Sequence, residues 1–114
     1  MTVTIWHNPR CSKSRAALAL IRERGIEPEI VEYLKSPPTT DAIRDALDRL
    51  GLPARDLLRR CEPAWRESGL SGDEGDERLI AAMAAAPVLI ERPLVMTPKG
   101  ARIARPTERV ADVL

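Results

Sequence analysis

Three apolar patterns follow one another in the first 34 residues, and their order constrains the fold more than any other feature of the chain. "TVTIW" at residues 2–6 alternates and is rich in β-branched side chains, which suggests a strand. From Ser14, "SRAALALIRERG" sets Ala17, Leu18 and Ile21 at helical spacing and stops at Gly25. "EPEIVEYL" then reads as a second strand beginning after Pro28. A strand, a helix and a strand in succession imply a parallel pair joined by a right-handed crossover.

The middle of the chain is helical. Thr40 is expected to cap a helix whose apolar face is Ile43, Ala46, Leu47 and Leu50, with Gly51 ending it. Pro53 marks another helix start, "EPAWRESG" is a short helix ending at Gly69, and "GDERLIAAMAAA" is a longer one ending at Pro87. The tail changes character. Val88-Leu89-Ile90 and Leu94-Val95-Met96 are short apolar runs. A turn at Pro98-Lys99-Gly100 leads into "ARIA", the pattern of a β-hairpin, and "TERVADVL" is a final helix capped by Thr107. The predicted fold is α/β: a mixed four-stranded sheet flanked by helices, with a helical insertion at approximately 40–86 after the second strand. At 114 residues the chain is long enough for one core and not for two, so 1–114 is read as a single domain.

The net charge of +1 gives no electrostatic reason to expect nucleic acid or an anionic membrane as partner. One histidine, two distant cysteines and no C-x-x-C pair leave no metal site to propose. No apolar run approaches the roughly 18 residues of a membrane span, and no charged segment followed by a long apolar run marks a signal peptide. Two cysteines far apart in sequence are not a disulfide framework and fit a reducing compartment, so the expected location is the cytoplasm.

The stretch "HNPRCSKSR", His7 to Arg15, carries the chemistry. Cys11 lies between a strand and the start of a helix, with Arg10, Lys13 and Arg15 beside it. Free backbone N–H groups at a helix N-terminus, and neighbouring cations, favour the thiolate form of a cysteine. The same N–H groups and Arg15 suit a tetrahedral oxyanion, so nucleophile and anion site would coincide. The alternative is a small buried hydrophobe, which a polar, cationic neighbourhood does not favour. His7 is either a structural histidine or the partner that orients the Cys11 loop. A thioredoxin-type exit through C-x-x-C is closed, because the fourth position of "CSKS" is Ser14. A phosphatase loop of low-molecular-weight type needs five residues between cysteine and arginine, and here there are three.

"HNPRCSKSR", "YLKSPPT", "LLRR" and "ERPLVMTPKGARIARP", in this order and spacing, resemble the ArsC family of glutaredoxin-coupled arsenate reductases, in its short form. The resemblance runs from residue 3 to 114. It implies a thioredoxin-like (glutaredoxin-like) fold and reduction of arsenate by a cysteine thiolate, with glutathione as co-substrate, glutaredoxin as protein partner and no bound cofactor. Carried over residue by residue, the nucleophile is Cys11. The arsenate-binding arginines are Arg59, with Arg60 its neighbour and alternative, Arg92 and Arg105. His7, Ser14 and Arg15 flank the nucleophile. Pro93 matches the cis-proline that thioredoxin-like folds set opposite the active cysteine; its alternative role is protection of an edge strand. Three guanidinium groups would hold an arsenate by paired, charge-assisted hydrogen bonds.

Cys61 departs from the family's pattern. A bridge to Cys11 would need Cα atoms within about 7 Å; a structural or incidental thiol is the other reading. Two further functions use the same fold. A Spx-like regulator would bind RNA polymerase and sense oxidation, commonly through a C-x-x-C that Ser14 interrupts. A glutathione-linked thiol reductase would keep Cys11 and have no need of the matched arginines. Trp6 and Trp65 are read as core packing residues in a chain without phenylalanine.

Overall fold

A computed structural model describes residues 2–91, 93–104 and 106–114. The chain divides into two compact units. The first is Met1–Ser36 with Arg92–Leu114, and the second is Pro37–Glu91.

The first unit is built on β1 (Thr4–Trp6), α1 (Ser12–Glu23), β2 (Glu29–Val31), β3 (Leu94–Thr97) and β4 (Gly100–Ile103). The sheet order is β2-β1-β3-β4. β1 runs parallel to β2, with Ile5 opposite Ile30, and antiparallel to β3, with Ile5 opposite Val95. β3 and β4 form the expected hairpin, with Val95 opposite Arg102. The mixed four-stranded sheet flanked by helices is therefore present, and its order is that of a thioredoxin-like fold.

Alternation in the strands and the helical spacing of α1 put Val3, Ile5 and Val95 against Ala17, Leu18 and Ile21, with Ala104, Val110 and Val113 completing this core. Burying each large side chain is worth about 1.5–3 kcal/mol. Ile21 is fully buried, so Ile21→Ala would cost about 2–5 kcal/mol. Thr97 ties the hairpin turn to the end of the chain. Its hydroxyl donates to the Val113 carbonyl at 2.6 Å and accepts from the Lys99 N–H at 3.0 Å.

The second unit is the helical insertion, with wider bounds than 40–86. It contains α2 (Thr40–Leu50), a 3-10 turn (Ala54–Leu57), α3 (Pro63–Ser68), α4 (Asp76–Ala85) and a 3-10 turn (Pro87–Leu89). Ile43, Ala46 and Leu47 of α2 and Leu79, Ile80 and Met83 of α4 are buried. Arg44 joins these helices through Glu77 and also pairs with Asp41. Gly51 ends α2 in the left-handed region at φ 69°.

Several boundaries differ from the sequence reading. α1 begins at Ser12, two residues before Ser14, because Cys11 itself takes the extended N-cap conformation. Thr39, not Thr40, caps α2, its Oγ1 accepting from the Ala42 N–H at 3.1 Å. Val88 and Leu89 belong to a 3-10 turn begun by Pro87, while Ile90 makes a single bridge with Leu58. The last segment is a 3-10 helix, Thr107–Asp112, and its N-cap is Pro106. Trp6 is buried, but Trp65 is only half-buried and carries Arg60 over its ring. Among the described residues no helix is long and apolar enough to cross a membrane.

Candidate active site

The site grows out of the end of β1. The His7 N–H donates to the Val31 carbonyl at 2.8 Å and extends the parallel ladder by one residue. Asn8 then organises a tight turn. Its side-chain Oδ1 accepts from the Arg10 N–H at 3.1 Å, and its carbonyl accepts from the Cys11 N–H at 3.0 Å. Cys11 is the extended N-cap of α1, with φ −95° and ψ 123°, and its carbonyl accepts the Arg15 N–H at 3.0 Å.

No side chain caps α1, and no acidic residue lies in its first turn. The N-terminal N–H groups of a helix lack intrahelical acceptors and carry the positive end of its dipole. The Cys11 thiol is half-buried and free at this end. Lys13 and Arg15 are both exposed, and the Arg15 Nη1 donates to the Pro9 carbonyl at 2.9 Å. Arg15 thus clasps the turn from the helix and brings its charge alongside it.

Behind the turn lies a buried polar pair. Ser14 is fully buried and His7 nearly so. His7 Nδ1 and Ser14 Oγ share a hydrogen bond of 2.6 Å, and Ser14 Oγ also accepts from the Asn8 N–H at 3.0 Å. Burial pushes the His7 pKa down from its ordinary value. The Arg22 and Arg15 charges act in the same direction, and Glu32 opposes them. His7 is therefore a neutral imidazole that braces the loop.

The second unit holds Arg59 and Arg60 in different settings. The Arg59 N–H donates to the Leu89 carbonyl at 2.7 Å, beside the Leu58–Ile90 bridge. Its side chain is only 12% exposed. Nη2 lies 3.1 Å from Glu62 Oε1 and 3.5 Å from the Cys61 Sγ. Nε and Nη1 are buried without any hydrogen-bond partner. Buried guanidinium nitrogens without acceptors are costly, and donors of this kind suit an anion. Burial works to lower the Arg59 pKa, but the Cys61 hydrogen bond and the charges of Glu91 and Glu62 together raise it, so the cation is held charged. Arg60 instead stacks over Trp65, 5.5 Å from the ring centroid. Of the two neighbours, Arg59 is the one whose unsatisfied donors are buried.

Arg92 and Arg105 lie outside the described residues, as does the Arg92–Pro93 bond. Pro93 is buried, and its carbonyl accepts from the Ala104 N–H at 2.9 Å, which seats it just before β3 in the hairpin. Cys61 is exposed, and both cysteines are free thiols. The residue that sequence reasoning undervalued is Asn8. Its N–H, carbonyl and side chain each make one of the bonds that shape the Cys11 turn. An asparagine placed just before a proline is the signal that could have found it. Among the described residues no group of three or more His, Cys, Asp or Glu side chains could hold a metal ion.

Residues 6–113 match the ArsC family. The chain is 47% identical to an arsenate reductase of Rhizobium meliloti (strain 1021), over all of this chain and 82% of that protein. It is 46% identical to YfgD, an uncharacterized protein of Escherichia coli (strain K12), over 98% of this chain and 96% of that one. Its fold superposes on the solved structure of an arsenate reductase from Vibrio cholerae with a TM-score of 0.95. That pair is 41% identical, and the alignment covers 100% of this chain and 98% of the other.

Proposed function

The chain belongs to the ArsC family, and on that premise we propose that it reduces arsenate to arsenite through the thiolate of Cys11, with glutathione and glutaredoxin as electron donors. It is an oxidoreductase whose reducing equivalents come from outside thiols. The observation that carries the assignment of Cys11 is its place: a free, half-buried thiol at the uncapped N-terminus of α1. Cys61 is more exposed, lies outside that helix end and has its Sγ against the Arg59 Nη2.

Arsenic(V) becomes arsenic(III) by gaining two electrons, and two thiols supply them by joining as one disulfide. One arsenate oxygen leaves as water, taking up the two thiol protons. Cys11 attacks arsenic and expels that oxygen. Glutathione attacks the resulting adduct, glutaredoxin resolves the mixed disulfide, and arsenite departs. Ser14 stands where a C-x-x-C resolving cysteine would be, so the second thiol is assigned to glutathione.

Arg59 is assigned to arsenate binding on the strength of its two partnerless buried nitrogens. Arg92 and Arg105 are assigned to the same task by their match to the family's arginines alone. Each well-placed donor of this kind is worth about 2.7–4 kcal/mol in the transition state. His7, Ser14 and Arg15 position the Cys11 turn. Pro93 is assigned the family's proline position opposite the cysteine. The match to one family over residues 6–113 supports treating both compact units as parts of a single functional domain. A glutathione-dependent reductase belongs in a reducing compartment, so the cytoplasm is the proposed location.

The test is arsenate turnover with glutathione and glutaredoxin, compared with thioredoxin as the only reductant. Turnover is expected only with the first pair. Cys11→Ser should abolish it and Cys61→Ser should leave most of it. Equal loss in the two variants would sink the single-nucleophile scheme. Absence of turnover with either donor would remove the arsenate reading.

A further inference from the structure

A cleft of about 240 Å3 opens on the first unit immediately beside the Cys11 turn. One wall is Asn8, Pro9 and Arg10, and the other is Glu32, Leu34 and Lys35 at the end of β2. The parallel pairing of β1 with β2 brings these stretches together, since the His7 N–H bonds the Val31 carbonyl. Leu34 is 42% exposed, one of the few large apolar side chains left open to solvent. The Arg10 guanidinium makes no hydrogen bond or ion pair with any described residue; only its backbone N–H is used, by Asn8. Lys35 and Glu32 lie 3.6 Å apart as an exposed, weak pair that a ligand could replace on both sides.

The cleft therefore offers two cations, one carboxylate and an apolar floor, one residue away from the nucleophile. It lies just below the range of about 300–1,000 Å3 in which drug-sized ligands are enclosed, and being open it suits an extended ligand only a few residues long. The complementary chemistry is a molecule with two carboxylates, one ammonium and an uncharged middle. Glutathione has this pattern and ends its middle residue in a thiol. We propose that this cleft seats glutathione during the reaction. The glycyl carboxylate lies on Arg10, the γ-glutamyl carboxylate on Lys35 and the γ-glutamyl ammonium on Glu32, and the cysteinyl thiol faces the Cys11 side of the turn. Guanidinium and ammonium pairs with carboxylates are the charge-assisted hydrogen bonds best suited to orienting so small a ligand. This assignment rests on the glutathione-dependent reading of the enzyme.

The binding test uses S-methylglutathione, which cannot react, titrated into the full-length Cys11→Ser protein labelled for NMR. Amide shifts are expected at Asn8, Arg10, Glu32, Leu34 and Lys35. They should need about tenfold more ligand in the Arg10→Glu, Lys35→Glu double variant. In steady-state assays of the Lys35→Glu enzyme, whose changed residue lies outside the Cys11 turn, KM for glutathione should rise severalfold, with KM for arsenate and for glutaredoxin within about twofold. Shifts confined to the outer face of α1, or a KM change falling on glutaredoxin instead of glutathione, would overturn the assignment. The last result would make this wall a protein-docking surface. The titration does not depend on turnover. Shifts in the cleft without arsenate reduction would keep the glutathione seat and refute the reductase, whereas turnover without them would do the reverse.

Discussion

His7 Nδ1 and Ser14 Oγ lie 2.6 Å apart, linking the end of β1 to the first turn of α1 from behind Cys11. The same hydroxyl accepts the Asn8 N–H, so one buried oxygen fixes both the imidazole and the turn. Removing it strands two polar groups. Ser14→Ala should lower stability by about 1–3 kcal/mol, the cost of leaving buried groups without partners. Urea unfolding would measure this. Arsenate turnover should fall as well, because the Cys11 turn loses its brace. A variant as stable and as active as the parent would show that the pair has no such role.

The His7 imidazole also sets a pH dependence. Its folded pKa is lowered, by burial first and then by Arg22 and Arg15. The unfolded chain therefore takes up a proton more readily than the folded one, near the ordinary histidine value of about 6.5. The contribution of neutral His7 to stability is complete above that value. It is lost progressively as pH falls from there through the lowered folded pKa. Thermal unfolding between pH 8 and 5 should show this loss in the parent protein. In His7→Gln, which keeps a polar partner for Ser14 and cannot titrate, this component should be missing. Identical pH profiles would rule out His7 as its source.

Arg59 makes a prediction that separates charge from geometry. Arg59→Lys keeps a cation that could still meet Glu62 but has no planar fork and no Nε–H. Loss of a single oxyanion donor typically costs about 10²–10³ in rate, so kcat/KM for arsenate should drop by about that factor in both Arg59→Lys and Arg59→Ala. Fold stability should change little in Arg59→Lys, which can keep the Glu62 pair and loses only nitrogens that make no bond within the protein. A lysine variant with near-parental kcat/KM would mean that Arg59 acts only as a charge.

Gly72 and Arg60 form a separate test in the insertion. Gly72 has φ +96°, and a Cβ there would lie 2.7 Å from the Arg60 Nη2. The guanidinium end can move aside, so the backbone carries most of the penalty. Gly72→Ala should destabilise by about 1–2 kcal/mol. Displacing Arg60 should also alter the fluorescence of Trp65, the less buried of the two tryptophans, and leave that of Trp6 unaffected. Unchanged emission with unchanged stability would show that the loop absorbs a side chain freely.

Much of this architecture was legible because its signals are local. Residues 2–6 alternate, residues 17, 18 and 21 repeat at helical spacing, and the crossover rule then dictates a parallel pair. The errors fell where another force decided. Cys11 is not a capping side chain, so nothing in its identity announced that α1 starts one residue later. Val88-Leu89-Ile90 has a strand's composition, but Pro87 and the Leu58 bridge turn it into a 3-10 segment. The grouping of Cys11, His7, Ser14 and Arg15 around one turn was readable because they are neighbours in sequence. The choice between Arg59 and Arg60 was not, since it depends on Glu62, Cys61 and Trp65 as partners. The cleft was hidden for a similar reason: only strand pairing brings Arg10 to Glu32 and Lys35.

Cys11 gives its amide hydrogen to Asn8 and its carbonyl oxygen to Arg15, so its main chain is occupied on both sides. Its sulfur alone is left uncommitted. Whatever becomes attached there hangs from a fixed post, and the load can change from thiolate to arsenical to peptide conjugate without any rung of the scaffold having to be rebuilt between turnovers.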